Sequence, residues 1–139
     1  MTTDYPALLI RLTVGLIFLS EGIQKWLFQD TLGRGRFEKL GIHPAGFWAP
    51  FTGSVEIVCG LLVIVGLLTR LAVLPLLVVM IVAFITTKWP EWIDQGFWIM
   101  AHDGRTDLAM TLLLIFLLIY GAGRFSLDHT FICKKKKLA

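Results

Sequence analysis

Four long apolar segments restrict the fold of this chain more than any other feature of its sequence. They cover residues 7–28, 47–68, 70–88 and 106–122, and few charges interrupt them. A hydrocarbon core about 30 Å thick needs roughly 20 helical residues, so each segment is near the length of a membrane span. Lipid offers no hydrogen-bond partner to the backbone, and the period-two alternation of a membrane barrel is absent. The sequence therefore predicts an all-α integral membrane protein.

The connections between these segments predict the topology. Little more than Thr69 and Arg70 separates the second and third segments, which indicates an antiparallel helical hairpin. Four spans then form an antiparallel four-helix bundle with both termini on one side, and the longer connections 29–46 and 88–106 lie on the other. The first segment lacks the flanks of a cleavable signal peptide, so we expect it to be retained. We expect one membrane domain, with a basic tail at 129–139.

Aromatic and basic residues predict how this domain lies in the membrane. All five tryptophans fall on the side of the long connections, where indole rings favour the membrane interface: Trp26, Trp48, Trp89, Trp92 and Trp98. Basic residues are nearly balanced between the two sides, and the run Lys134 to Lys137 decides the orientation. We expect a plasma (inner) membrane protein with cytoplasmic termini.

The composition excludes several classes of function. Hydrophobic residues make up 56% of the chain and charged residues 17%, which is far from an ordinary soluble domain. The net charge is +3, and four of the thirteen basic residues lie in the tail rather than over a folded face, so we expect no nucleic-acid partner. The tail is either a solvated end after the last helix or a segment that touches anionic lipid head groups.

Cysteine and histidine positions argue against common redox and metal centres. The two cysteines, Cys59 and Cys133, form no CxxC pair, so a dithiol relay enzyme is not expected. No histidine lies inside a predicted span, so we expect no haem. His43 and His102 lack metal-ligand spacing, and phosphate-loop and nucleophile-elbow motifs are absent, so we expect no metal site.

Charged residues within the apolar segments mark a candidate site. The first helix carries one stripe at helical spacing, formed by Arg11, Gly15, Phe18, Gly22 and Lys25. Glu21 borders this stripe four residues before Lys25, and Glu56 lies between two glycines on the second helix. Glycines let neighbouring helices approach closely. We predict a polar cluster near the non-cytoplasmic interface, made of Glu21, Lys25, Glu56, Arg105 and Asp107.

Two interpretations of this cluster stay open. An unpaired carboxylate in hydrocarbon costs at least ~3 kcal/mol, so Glu21 and Glu56 must be paired, protonated or hydrated. They either clasp the helices together or form a pocket for a ligand or for protons. At the other membrane side we predict a structural collar of Arg11, Arg70 and Asp128, in which Asp128 pairs with an arginine or caps a helix end.

These residues, taken in order, resemble the pattern of the DoxX family of small membrane proteins. The resemblance runs from Arg11 to Asp128 and includes the glycines and charges above, together with Gly66, Thr69-Arg70, Gly121, Gly123 and Ser126-Leu127-Asp128. One position departs, since Ala122 stands where the family usually has proline. The resemblance implies an integral four-helix protein that is often linked to redox systems, including small subunits of thiosulfate:quinone oxidoreductases.

We therefore form three hypotheses about function. The first is an accessory subunit of a membrane redox system that binds quinone and depends on a redox partner protein for electrons, and is not catalytic alone. The second is a carrier of small molecules or protons, which four helices without an inverted repeat would build as a homo-oligomer. The third is a non-catalytic membrane scaffold in contact with lipids, in which the charges only hold the helices together and the tryptophan face meets a partner.

Overall fold

The computed structural model describes residues 4–138, and all the regular structure in that range is helical. The prediction of an all-α class is therefore confirmed. The elements are α1 (Asp4–Leu27), α2 (Arg34–Lys39), α3 (Ala45–Val65), α4 (Thr69–Ala83), a π-helical segment (Phe84–Lys88), α5 (Trp89–Gln95), α6 (Phe97–Asp103), α7 (Arg105–Tyr120) and α8 (Leu127–Leu138).

Among the described residues, three helices are long and apolar enough to cross a membrane. They are Asp4–Leu27, Ala45–Val65 and Thr69–Gln95, the last formed by α4, the π-helical segment and α5 without a break. The fourth predicted span corresponds to α7, which has 16 residues. A helix of that length rises about 24 Å, which is less than a hydrocarbon core of about 30 Å.

The four longest helices pack side by side around a common core. Helix α1 packs against α3, α3 against α4, α4 against α7, and α7 back against α1. Val14, Val63, Leu76 and Leu114 are fully buried at the centre. Large apolar side chains such as Leu16, Val58, Val78 and Leu112 are instead more than half exposed on the outside. An apolar exterior of this kind suits contact with lipid rather than water.

A tight turn joins α3 to α4. Gly66 ends α3 with a left-handed backbone (φ 73°), and Leu68 is also left-handed (φ 49°) immediately before α4 begins. Glycine accepts this conformation without the steric cost of a side chain. The turn lies beside the start of α8, because the Asp128 N–H donates to the Gly66 carbonyl at 2.9 Å.

The start of α1 lies at the same end of the molecule. The Arg124 N–H donates to the Asp4 carboxylate at 3.1 Å. The basic tail is helical through residue 138, as part of α8, and its side chains from residue 129 onward are exposed. Long connections and short helices occupy the opposite end.

Candidate functional site

A buried ion pair joins α1 to α3. Helices α1 and α3 approach so closely at Gly22 that a Cβ atom there would lie 2.6 Å from the Gly53 carbonyl oxygen. Because of this approach, Lys25 in the last turn of α1 reaches across to α3. Its Nζ donates to Glu56 Oε2 at 2.8 Å, and the two side chains are 13% and 4% exposed.

Glu21 extends this pair toward the surface. It lies one helical turn before Lys25, with 3.7 Å between its Oε2 and Lys25 Nζ, and its side chain is 51% exposed. The Lys25 ammonium group therefore stands between an exposed carboxylate and a buried one. The structure brings together these three residues of the predicted cluster.

The three charges line a large cleft. The cleft has a volume of about 860 Å³ and runs between α1, α3, α4 and α7, with α2 closing part of its rim. Most of its wall is apolar and includes Ile17, Val58, Pro75, Val79 and Met110. An apolar cavity of a few hundred to 1,000 Å³ with few convergent polar groups is typical of a small-molecule site.

A second polar group lines the same cleft. Lys88, the last residue of the π-helical segment, lies 4.0 Å from the Asp107 carboxylate at the start of α7 and 3.6 Å from that of Glu91. Only 14% of the Lys88 side chain is exposed. Asp107, the fourth predicted residue, therefore lines the cleft with Lys88 as its partner.

Arg105, the fifth predicted residue, is not among the side chains that line the cleft. It lies two residues before Asp107 on α7, and side chains two residues apart on a helix point in different directions. The structure places its Nη1 against the exposed His102 ring at 3.2 Å. Of these two charged residues, Asp107 is the one that lines the cleft.

The predicted collar residues act on helix ends. Arg11 is 2% exposed and donates to backbone carbonyls that end α3 or follow α7, those of Val63 (3.0 Å), Ile64 (2.7 Å), Ala122 (2.9 Å) and Phe125 (2.6 Å). Arg70 likewise donates to the Ile119 carbonyl at 2.9 Å. Carbonyls in a last helical turn have no partner within the helix, so an arginine can satisfy them.

Asp128 caps the start of α4. Its carboxylate accepts the N–H groups of Leu68 at 2.7 Å and Thr69 at 3.0 Å. Of the two roles predicted for this residue, the structure shows the cap, and the pairing with Arg11 or Arg70 stays a prediction. The free N–H groups at a helix start attract a carboxylate, so this contact stabilises the beginning of α4.

Comparison with known proteins identifies the family. The family model described as DoxX matches residues 7–89, which include Glu21, Lys25 and Glu56. The chain belongs to the DoxX family. An uncharacterized membrane protein of Mycobacterium tuberculosis is 56% identical to this DoxX protein over 126 residues, covering 86% of this chain and 77% of the relative.

A second relative is more distant. An uncharacterized protein of Haemophilus influenzae is 29% identical over 125 residues, covering 87% of this DoxX protein and 80% of the relative. No solved structure matches. The resemblance inferred from the sequence is thus confirmed at the level of the family, and the matched region ends at Trp89, before Asp107.

Sequence reasoning missed two basic residues of the cleft. Lys88 lies at the C-terminal end of the third apolar segment, as Lys25 lies near that end of the first. This similarity in position could have identified Lys88 as a cleft residue. Arg36 comes from the short helix α2, and nothing in its surrounding sequence marks it as a cleft residue. Among residues 4–138, no group of three His, Cys, Asp or Glu side chains is arranged to hold a metal ion.

Proposed function

We propose that this DoxX protein spans the plasma (inner) membrane four times, with both termini in the cytoplasm and the cleft near the outer interface. The spans would be α1, α3, the continuous helix from α4 to α5, and α7. Support for α7 comes from its packing against two of the other proposed spans, α1 and α4. Support for the orientation comes from the lysine run in α8, since cytoplasmic segments are enriched in basic residues.

We propose further that the cleft binds a quinone and that the protein is an accessory subunit of a membrane redox system. The buried Lys25–Glu56 pair lining a large, mostly apolar cleft carries this proposal. A quinone ring has two carbonyl oxygens that accept hydrogen bonds, and its isoprenoid tail needs an apolar groove. Lys25 and Lys88 supply donors, and the wall of α3 and α4 supplies the groove.

In this proposal the electrons come from a partner protein. Both cysteines are free and lie on different helices, Cys59 buried in α3 and Cys133 exposed in α8, so they do not provide a dithiol. The chain would hold the quinone near the interface while the partner reduces or oxidises it. It would not be catalytic alone.

Quinone binding tests the proposal directly. Trp48 lines the cleft, so a bound short-chain quinone should quench tryptophan fluorescence of the purified protein in detergent. We expect Glu56→Gln to weaken binding at least about tenfold, because a hydrogen bond to a charged group contributes about 1.5–3 kcal/mol and the carboxylate holds Lys25 in place. Glu38→Gln is the matched control, since Glu38 belongs to an exposed ion pair with Arg34 outside the cleft.

Two results would reject the quinone site. One is an unchanged dissociation constant for a folded Glu56→Gln variant. The other is quenching that survives in Trp48→Phe at full strength, which would place the quinone elsewhere. If Glu56→Gln lost thermal stability and the native protein bound no quinone, a scaffold would be favoured.

A proton carrier is the second candidate, and the position of Lys25 favours it. This ammonium group lies 3.7 Å from the exposed Glu21 and 2.8 Å from the buried Glu56, so protons have a short route from the surface into the cleft. Liposomes loaded with a pH-sensitive dye would then show proton flux that Glu56→Gln abolishes and Glu38→Gln preserves. Equal flux in protein-free liposomes would reject this candidate.

A further inference from the structure

Helix α8 has an apolar stripe that no part of the described chain covers. At 100° per residue, Leu127, Phe131 and Leu138 fall within an arc of about 40° along this helix. Their exposures are 42%, 59% and 81%. Large apolar groups aligned on one face of an exposed helix indicate a contact surface.

Lysines accompany this stripe and continue around the helix. Lys134 lies about 20° from Leu127, between Phe131 and Leu138 along the helix, and Lys135 lies about 80° after Leu127. Lys136 and Lys137 follow them, and all four side chains are exposed. Lysine stems can lie along an apolar surface while the ammonium groups reach a polar layer beside it. Exposed apolar side chains next to lysines suit a helix that lies in a membrane interface.

The start of α8 is fixed to the ends of the long helices. Ser126 caps α8 by accepting the His129 N–H at 3.2 Å. Asp128 binds the start of α4, and its own N–H binds Gly66. The remaining turns extend about 18 Å at most from that point, so α8 stays close to the ends of the apolar helices.

We propose that α8 docks on the head groups of anionic phospholipids, with its apolar stripe inserted among the acyl chains. Charge selects this partner over a second copy of α8, since four lysines on each helix repel one another. The start of α8 is fixed at the ends of the apolar helices, which is where a lipid surface would begin. We therefore favour a lipid surface over a soluble anion as the partner. Each lysine near an anionic surface strengthens association by about fivefold.

The test uses the full-length protein in nanodiscs. A water-soluble spin label reacts with the exposed Cys133, while Cys59 is buried, and Cys133→Ser gives the unlabelled control. Cys133 lies about 140° from the centre of the stripe, so the label reports on the helix without entering the bilayer. Nanodiscs of phosphatidylcholine are compared with nanodiscs that also contain phosphatidylglycerol.

We expect the spectrum of the spin label to be that of a mobile label in phosphatidylcholine nanodiscs and that of an immobilised label when phosphatidylglycerol is present. Replacing Lys134 and Lys135 with glutamine should lower the ratio of docked to free α8 about 25-fold, and Phe131→Ser should lower it as well. Arg34→Gln with Lys39→Gln removes the same charge from α2 and should leave the ratio unchanged. Three results would overturn the proposal: the same spectrum in both lipids, an immobilised spectrum that the α8 variants do not alter, or immobilisation in phosphatidylcholine by free glycerol phosphate alone.

Discussion

Lys25 and Glu56 depend on each other because both are removed from water. Replacing Lys25 with methionine leaves a carboxylate without its partner in an apolar core, so we expect the free energy of unfolding to fall by about 3–5 kcal/mol. Replacing both residues with methionine should restore most of that loss, because neither charge is then buried. Denaturant unfolding in micelles, followed by tryptophan fluorescence, measures both values. A double variant as unstable as Lys25→Met would contradict the mutual dependence.

Arg11 has a different structural role, because its partners are backbone carbonyls. A guanidinium group presents five N–H donors in a fixed plane, whereas an ammonium group is a compact point with three. Lysine at this position cannot reach all four carbonyls, so we expect Arg11→Lys to destabilise the protein by about 2–4 kcal/mol. Thermal unfolding in detergent should show a clear fall in Tm. Arg124→Lys is the control, since Arg124 is exposed and should change stability by less than about 0.5 kcal/mol.

At the level of helices, the contact between α1 and α3 brings the buried ion pair together. A Cβ at Gly22 would meet the backbone of Gly53, which cannot move aside as a side chain can. We therefore expect Gly22→Ala to destabilise the protein by about 1–3 kcal/mol and to lengthen the Lys25–Glu56 distance. Gly46 in α3 has open space around it, so Gly46→Ala should be neutral or stabilising by up to about 1 kcal/mol. Equal effects of the two substitutions in a thermal unfolding assay would contradict this account.

The helices could be predicted from the sequence because long apolar runs in lipid have few alternatives. The glycine spacing on α1 and α3 also predicted that Glu21, Lys25 and Glu56 meet, since close approach there needs small residues at the contact. The contact of Arg105 with His102 was not predicted, because the sequence placed Arg105 and Asp107 at one side of the membrane without defining the direction of either side chain. The π-helical segment that carries Lys88 could not be predicted, because its change of hydrogen-bond pattern has no counterpart in the spacing of apolar residues. Contacts between distant elements, such as Asp128 with the start of α4, are not encoded in local spacing.

The number of membrane crossings depends on α7. The other three long helices are long enough to cross unaided, whereas α7 rises only about 24 Å. Short helices can still span when neighbouring helices bury their ends or when the bilayer thins locally. Contacts of α7 with α1, α4 and α6 provide such neighbours. Whether α7 crosses decides whether α5 and α8 lie on opposite sides of the membrane.

Thiol labelling in membrane vesicles tests this crossing. Asp94 in α5 and Cys133 in α8 are exposed, and α7 is the only long helix between them. An impermeant maleimide should label Asp94→Cys, made in a Cys133→Ser background, in right-side-out vesicles, and native Cys133 in inverted ones. Cys133→Ser alone should stay unlabelled, since Cys59 is buried. Labelling of both sites from one side would mean that α7 does not cross, whereas the reverse pattern would keep four spans and place the termini outside.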